Sequence, residues 1–250
     1  MLGIIGGTGL EELPDFELTR RESVDTPFGE PSSVLLHVSI RGTPAVFLSR
    51  HGIGTRILPH RINYRANVYA LRFAGVTEVI ALGAVGGIDP EFSTGALAVP
   101  DQIIDYTWGR EHTCFDGATI LDLEMDHLGH ANFTSPYDSA LRNRILASAR
   151  DAEIPLIDHG VYGVTQGPRL ETAAEIDRME RDGVDIVGMT AMPEAALARE
   201  LEIDYATVAM VVNPAAGRSD TPISMKSISR VLEGTTWKAM RLLSAYCSGS

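Results

Sequence analysis

Val208-Ala209-Met210-Val211-Val212-Asn213-Pro214-Ala215-Ala216-Gly217 is the stretch that decides the fold. Its apolar and small residues run unbroken into Asn213, the pattern of a strand buried on both faces. Pro214 has no backbone N–H, so regular pairing is expected to stop there. A carboxamide is then held where a strand gives way to a loop of small residues. In open α/β sheets, ligands sit beyond such carboxyl strand ends. Asn brings one acceptor and two donors without charge. Asn-Pro is also a common turn dipeptide, and these residues alone fit either use.

Working outward, the same kind of junction recurs. Residues 2–5 are a short apolar run feeding Gly6-Gly7-Thr8-Gly9. Residues 33–40 and 45–48 read as strands joined at Arg41-Gly42-Thr43-Pro44, a hairpin signal. Residues 79–84, 160–165, 184–187 and 203–212 are further strands, and 97–99 and 103–104 are strand material around Pro100. Helical spacing marks 63–74, 139–152, 172–182 and 225–246. Pro193 opens one more helix, with Glu194 in its first turn. Alternating strands and helices predict an α/β fold. Neither a repeat nor a linker interrupts it, so one domain over 1–250 is expected.

Composition narrows the function. The formal charge of −12 argues against a nucleic-acid partner, which needs a basic stripe. It leaves room for an anion site built from backbone N–H groups and a local Arg. Cys114 and Cys247 are the only cysteines, too few for a disulfide framework. No apolar run reaches membrane-spanning length, and the N-terminus lacks the basic and apolar regions of a signal peptide. No membrane partner and a cytoplasmic location are the expectation.

The glycine loop after residue 5 suits an anion, and Thr8 adds a hydroxyl. As a dinucleotide fingerprint it fails, because Glu12 stands where the third glycine belongs and Pro14 follows closely. Arg50-His51-Gly52, at another strand end, is either an oxyanion clamp or a surface Arg beside a satisfied His. The histidines and Cys114 between residues 107 and 136 lack metal-ligand spacings, so no metal is expected. That stretch has no clear periodicity, and long irregular segments usually serve function or subunit contact.

Several motifs together resemble one family. Gly3-Ile4-Ile5-Gly6-Gly7-Thr8-Gly9-Leu10, Arg50-His51-Gly52, Asn63-Tyr64-Arg65-Ala66-Asn67, Gly167-Pro168-Arg169 and Met189-Thr190-Ala191-Met192-Pro193-Glu194 are similar to trimeric nucleoside phosphorylases. The methylthioadenosine/methylthioinosine phosphorylase branch is the most similar. The resemblance spans nearly the whole chain in family order. It implies a mixed, distorted sheet flanked by helices, a homotrimer, and phosphate-dependent cleavage of a purine–ribose bond. Inorganic phosphate would be a co-substrate, and no cofactor is implied.

Carried over residue by residue, the resemblance assigns phosphate to Thr8, Arg50, His51, Gly83, Ala84 and Thr190. It places Met189 under the ribose, and Leu170, Glu171, Asn213, Pro214 and Ala215 around the purine. Asn213 would be the catalytic group at N7. Three positions depart from the adenosine branch, whose Asp, second Asp and Ser are matched here by Asn213, Ala215 and Glu171. An amide that accepts from N7–H and donates to O6 suits a 6-oxopurine. A carboxylate that accepts from N1–H does too, because adenine has no N1–H. Glu171 also fits a plain helix-start acid. Ile228, Val231 and Leu232 share one helix face and would form an apolar wall for a 5′-methylthio group; they also fit an ordinary core face. His130 resembles a residue lent to the 5′ end by a neighbouring subunit. Gly83 and Thr55 replace side chains common in the family, Thr or Asn and His respectively. A 5′-methylthio-6-oxopurine nucleoside is therefore the expected substrate, with inosine or guanosine and methylthioadenosine as the alternatives.

Overall fold

The computed structural model describes residues 1–7, 16–54, 56–115 and 130–249. Its strands are β1 (Leu2–Gly6), β2 (Phe16–Glu22), β3 (Leu35–Ile40), β4 (Thr43–Ser49), β5 (Glu78–Gly87), β6 (Leu97–Ala98), β7 (Gln102–Asp105), β8 (Val161–Val164), β9 (Ile186–Gly188) and β10 (Asp204–Pro214). The helices are α1 (Tyr64–Phe73), α2 (Ser139–Asp151), α3 (Ala173–Arg181), α4 (Ala191–Glu200) and α5 (Met225–Ser248).

These strands form one mixed sheet in the order β2-β3-β4-β1-β5-β9-β8-β7, with β10 paired to β5 and to β6. Strand β5 is the centre. It runs parallel to β1 on one edge and parallel to β10 on the other. Residues of β10 alternate between two cores, Tyr205, Ala209 and Val211 facing one and Ala206, Val208 and Met210 the other. That two-sided burial explains the unbroken apolar run. Helices α1 and α4 cover the first face, through Val68, Leu71, Ala195 and Leu197. Helices α2 and α5 cover the second, through Leu141, Ile145, Ala239 and Leu242.

Helix ends follow local chemistry. Asn63, Asp138, Thr172 and Ser224 each accept a backbone N–H as N-caps. The β3–β4 turn puts Arg41 at φ 49° and Gly42 at φ 88°, the two left-handed residues of a tight hairpin. Two sequence expectations need correction. Pro214 does not stop pairing: a register shift between Val211 and Asn213 re-aligns β10, which continues opposite Gly86 and Gly87. Beyond Pro214 the Ala215 N–H returns to Gly87 O at 2.7 Å. Strand β2 was not anticipated, because its residues beyond Phe16 are mostly exposed and polar. No helix among the described residues is long and apolar enough to cross a membrane.

One topological detail positions part of the candidate site. Along the β1 side of β5, pairing with β1 ends at Ala81 and pairing with β9 begins at Gly86. Residues 82–85 lie between the two, at a split in the sheet. Such a switch point is where α/β sheets bind ligands.

Candidate functional site

Arg50 follows the last residue of β4 and is stitched to the end of β1 by Arg50 N–H to Gly6 O at 2.9 Å. Its side chain is buried, 2% exposed. Nε and Nη2 each donate to Glu194 at 2.8 Å, a fork-to-fork pair, and Nη1 donates to Leu82 O at 2.9 Å in the split. Burial alone would lower the guanidinium's pKa, but the Glu194 charge and hydrogen bonds more than offset it and raise it. The bidentate face expected to clamp an anion is therefore engaged by Glu194. What Arg50 has left for a ligand is the remaining hydrogen on each of Nη1 and Nη2. Glu194 is 0% exposed, and Tyr205 Oη also donates to it at 2.8 Å. It is thus the partner of Arg50, and not only the first-turn acid expected at the start of α4.

His51 Nδ1 lies 2.8 Å from Ile57 O, so Nδ1 carries the proton and donates. Burial, and next the Arg50 charge, push the imidazole below its ordinary value, against the pull of the Ile57 carbonyl. The ring is neutral at pH 7 and offers Nε2 as an acceptor. That atom can receive a hydroxyl proton from a hydrogen phosphate or a sugar.

Thr190 is the N-cap residue of α4, yet its side chain makes no capping bond. Its hydroxyl is turned to Gly83, where an added Cβ would stand 3.8 Å from Thr190 Oγ1. Gly83 is buried and Ala84 is exposed, so Ala84 faces the opening of the split. Arg50, Gly83, Ala84 and Thr190 are thus gathered around residues 82–85, and His51 adjoins them through Arg50. Thr8 and Thr55 lie outside the described residues.

Beyond the split, two loops converge. Helix α3 is capped by a complete box, Thr172 with Glu175, so Glu175 is its first-turn acid. Glu171 precedes the cap and is free of that duty. Its Oε1 accepts from Thr165 Oγ1 at 2.6 Å. Asn213 Nδ2 donates to Pro214 O at 2.6 Å, which leaves Oδ1 and the second amide hydrogen to a ligand. The loop after Asn213 is fastened to α3 by Arg218, which pairs with Asp177 at 2.9 Å and Glu180 at 3.0 Å. Ala215 packs in one small core with Ile176 and Met179 of α3. Pro214 is half-buried, and Leu170 is exposed.

Met189 lies across Gly167, at which an added Cβ would come within 2.5 Å of Met189 Sδ. Ile228 and Val231 are half-buried and belong to neither face's core, whereas Leu232 packs against the core under α5. His130 is exposed. A cavity of about 360 Å³ is lined by Thr165, Gln166, Gly167 and Glu171 together with Tyr106 and Trp108 among others. Among the described residues, Glu171 is the one expected site residue that borders it.

Arg110 was not singled out from the sequence, and Glu194 was read there only as a first-turn acid. Arg110, 8% exposed, donates to the carbonyls of Met189 at 2.8 Å, Gln166 at 3.0 Å and Thr165 at 3.2 Å, and also to that of Met192. It ties the end of β8 to the start of α4. Nothing marked it, because it sits in the stretch without periodicity. Glu194 did leave a signal, a single charge in the otherwise apolar run Ala191-Met192-Pro193-Glu194-Ala195-Ala196-Leu197-Ala198.

Comparison with known proteins adds the family. Residues 1–247 match the model of the Phosphorylase superfamily. A relative from Pseudomonas syringae pv. tomato, described as a probable S-methyl-5′-thioinosine phosphorylase, is 47% identical over 99% of this chain and 98% of its own. The 6-oxopurine nucleoside phosphorylase of Pyrococcus furiosus is 42% identical over 98% of this chain and 91% of its own. Among solved structures, methylthioadenosine phosphorylase from Schistosoma mansoni in complex with adenine is similar, with a TM-score of 0.90 and 30% identity. That similarity covers 99% of this chain and 90% of the other.

Proposed function

This chain belongs to the phosphorylase superfamily, and from that premise we propose that it cleaves S-methyl-5′-thioinosine with inorganic phosphate. The products are hypoxanthine and 5-methylthioribose 1-phosphate. The enzyme class is pentosyl transfer, in keeping with the phosphorylases it resembles in sequence and fold.

The chemistry follows from the groups at hand. As the C1′–N9 bond breaks, positive charge develops on the ribose and negative charge on the purine. Phosphate held beside C1′ stabilises the first and then forms the new C1′–O bond. Arg50, Thr190 and the Ala84 backbone supply fixed donors for it, so positioning and electrostatics come together. The proton given up by hydrogen phosphate balances the one the purine gains. Asn213 Oδ1 accepts from the protonated N7, and its free amide hydrogen meets O6. Glu171 accepts from N1–H. No metal or organic cofactor takes part in these steps.

The single observation that carries the base preference is the placement of Glu171. Its role as a helix-start acid is filled by Glu175, and Thr165 anchors one of its oxygens. A carboxylate held this way opposes the bare N1 of adenine, acceptor against acceptor. Each buried mismatch of that kind costs about 1–3 kcal/mol. At the 5′ end, half-buried Ile228 and Val231 offer a thiomethyl group apolar contact and leave a hydroxyl unpaired.

A homotrimer in the cytoplasm completes the proposal. Trp108, 72% exposed and held beside the 165–171 segment by its backbone N–H to Gln166 Oε1 at 3.3 Å, provides apolar surface for a neighbouring subunit. The deciding experiment measures free base released with phosphate from methylthioinosine, inosine, methylthioadenosine and adenosine. Methylthioinosine is expected to give the highest kcat/KM. A preference for inosine would refute the 5′ assignment, and a preference for methylthioadenosine the base assignment.

A further inference from the structure

Tyr162 rises from β8 with its side chain 1% exposed, and its hydroxyl has no hydrogen-bond partner among the described residues. Buried tyrosine hydroxyls normally find one. This one reaches a particular place. It crosses Gly188, where an added Cβ would lie 2.2 Å from Tyr162 Oη, so only glycine lets it through. It arrives beside Gly83, whose added Cβ would stand 3.7 Å from Tyr162 Oη and 3.8 Å from Thr190 Oγ1. Two hydroxyls therefore border the same glycine in the split of the sheet. Thr190 does not spend its hydroxyl on capping α4. Burial, opposed by the neighbouring Thr190, raises the Tyr162 pKa, so the group is a donor at neutral pH.

We propose that Tyr162 is a positioning residue for the phosphate co-substrate: when phosphate binds, its unpartnered O–H turns to donate to the neighbouring Thr190 Oγ1 and so directs the Thr190 proton toward phosphate. The inference rests on the phosphorylase assignment of the split. A threonine hydroxyl has one proton and can both accept and donate. Fed from behind by Tyr162, it has only its forward direction left to donate. A chain of this kind also polarises the final bond. Gly83, which has no side chain of its own to offer, is what brings both hydroxyls to that point.

Initial rates of the full-length protein test this, with phosphate varied at saturating methylthioinosine and the nucleoside varied at saturating phosphate. Tyr162→Phe keeps the ring and removes only the hydroxyl. It is expected to raise the phosphate KM by about 3–10-fold, the worth of one neutral hydrogen bond, and to leave the nucleoside KM within about 2-fold, the scatter of indirect effects. Thr190→Val combined with Tyr162→Phe should have the phosphate KM of Thr190→Val alone, because the relay is already cut. Gly83→Ser, which meets only ordinary contacts at its Cβ, should restore part of the lost phosphate affinity in the Tyr162→Phe background. An unchanged phosphate KM in Tyr162→Phe overturns the inference. So does an equal rise in both KM values, which marks general loosening, or multiplicative effects in the double variant. Wild-type protein that releases no base when phosphate is added would instead overturn the phosphorylase assignment itself.

Discussion

In the proposed reading Glu171 and Asn213 divide recognition of the purine edge between a charge and an amide, and each is held by one short bond. Thr165 fixes the carboxylate at 2.6 Å, and Pro214 O fixes the amide at 2.6 Å. Exchanging both, Glu171→Ser with Asn213→Asp, should shift the kcat/KM ratio from methylthioinosine toward methylthioadenosine by about 30-fold or more, two mismatches of about 1–3 kcal/mol each. Competition between the two nucleosides measures it, and an unmoved ratio defeats the base assignment. His51 gives a second residue-scale expectation. Its folded pKa is depressed, so its stabilising contribution is present above the unfolded value of about 6.5 and is lost as pH falls below it. Denaturant midpoints should fall between pH 7 and pH 5, and His51→Gln should flatten that slope. An identical slope in the variant would show that other groups set it.

At the scale of elements, the site is assembled from ends. The end of β4 brings Arg50, the middle of β5 brings Gly83 and Ala84, and the start of α4 brings Thr190 and Glu194. Arg110 locks two of the connections and Arg218 a third. The turn at Gly167 shows how tightly they meet. Its φ of 63° and its 2.5 Å approach to Met189 Sδ leave no place for a side chain. Gly167→Ala should displace Met189, raise the nucleoside KM more than the phosphate KM, and destabilise the fold by about 1–2 kcal/mol through left-handed strain. Thermal unfolding together with the two KM values checks this. A variant with wild-type kinetics would place Met189 outside the nucleoside site.

At the scale of the whole molecule, one sheet is split where β1 ends and β9 has not yet begun, and the split is lined by the groups proposed to hold phosphate. Exposed Trp108 beside the 165–171 segment leads to the last expectation. Sedimentation should give three times the 27.0 kDa chain mass, and Trp108→Glu should shift the protein toward smaller species while lowering activity. A fully active monomer would remove the subunit interface from the site.

Much of this was legible along the chain. Strand and helix positions depend on periodicity and capping, which are local, so β10, α1, α3 and the β3–β4 hairpin stand close to where their residues predict. The glycine- and Thr-terminated strand ends pointed to a ligand site at the strand ends for the same reason. What the linear order could not decide was pairing between distant groups. Arg50 and Glu194 meet 144 residues apart, and Arg110 reaches Met189 across 79. Whether Glu171 caps a helix depends on which of two acids, Glu171 or Glu175, folds back on Thr172. Those outcomes belong to the tertiary structure, because a buried charge takes whichever partner the packed sheet and helices bring within reach, and no local pattern records that choice.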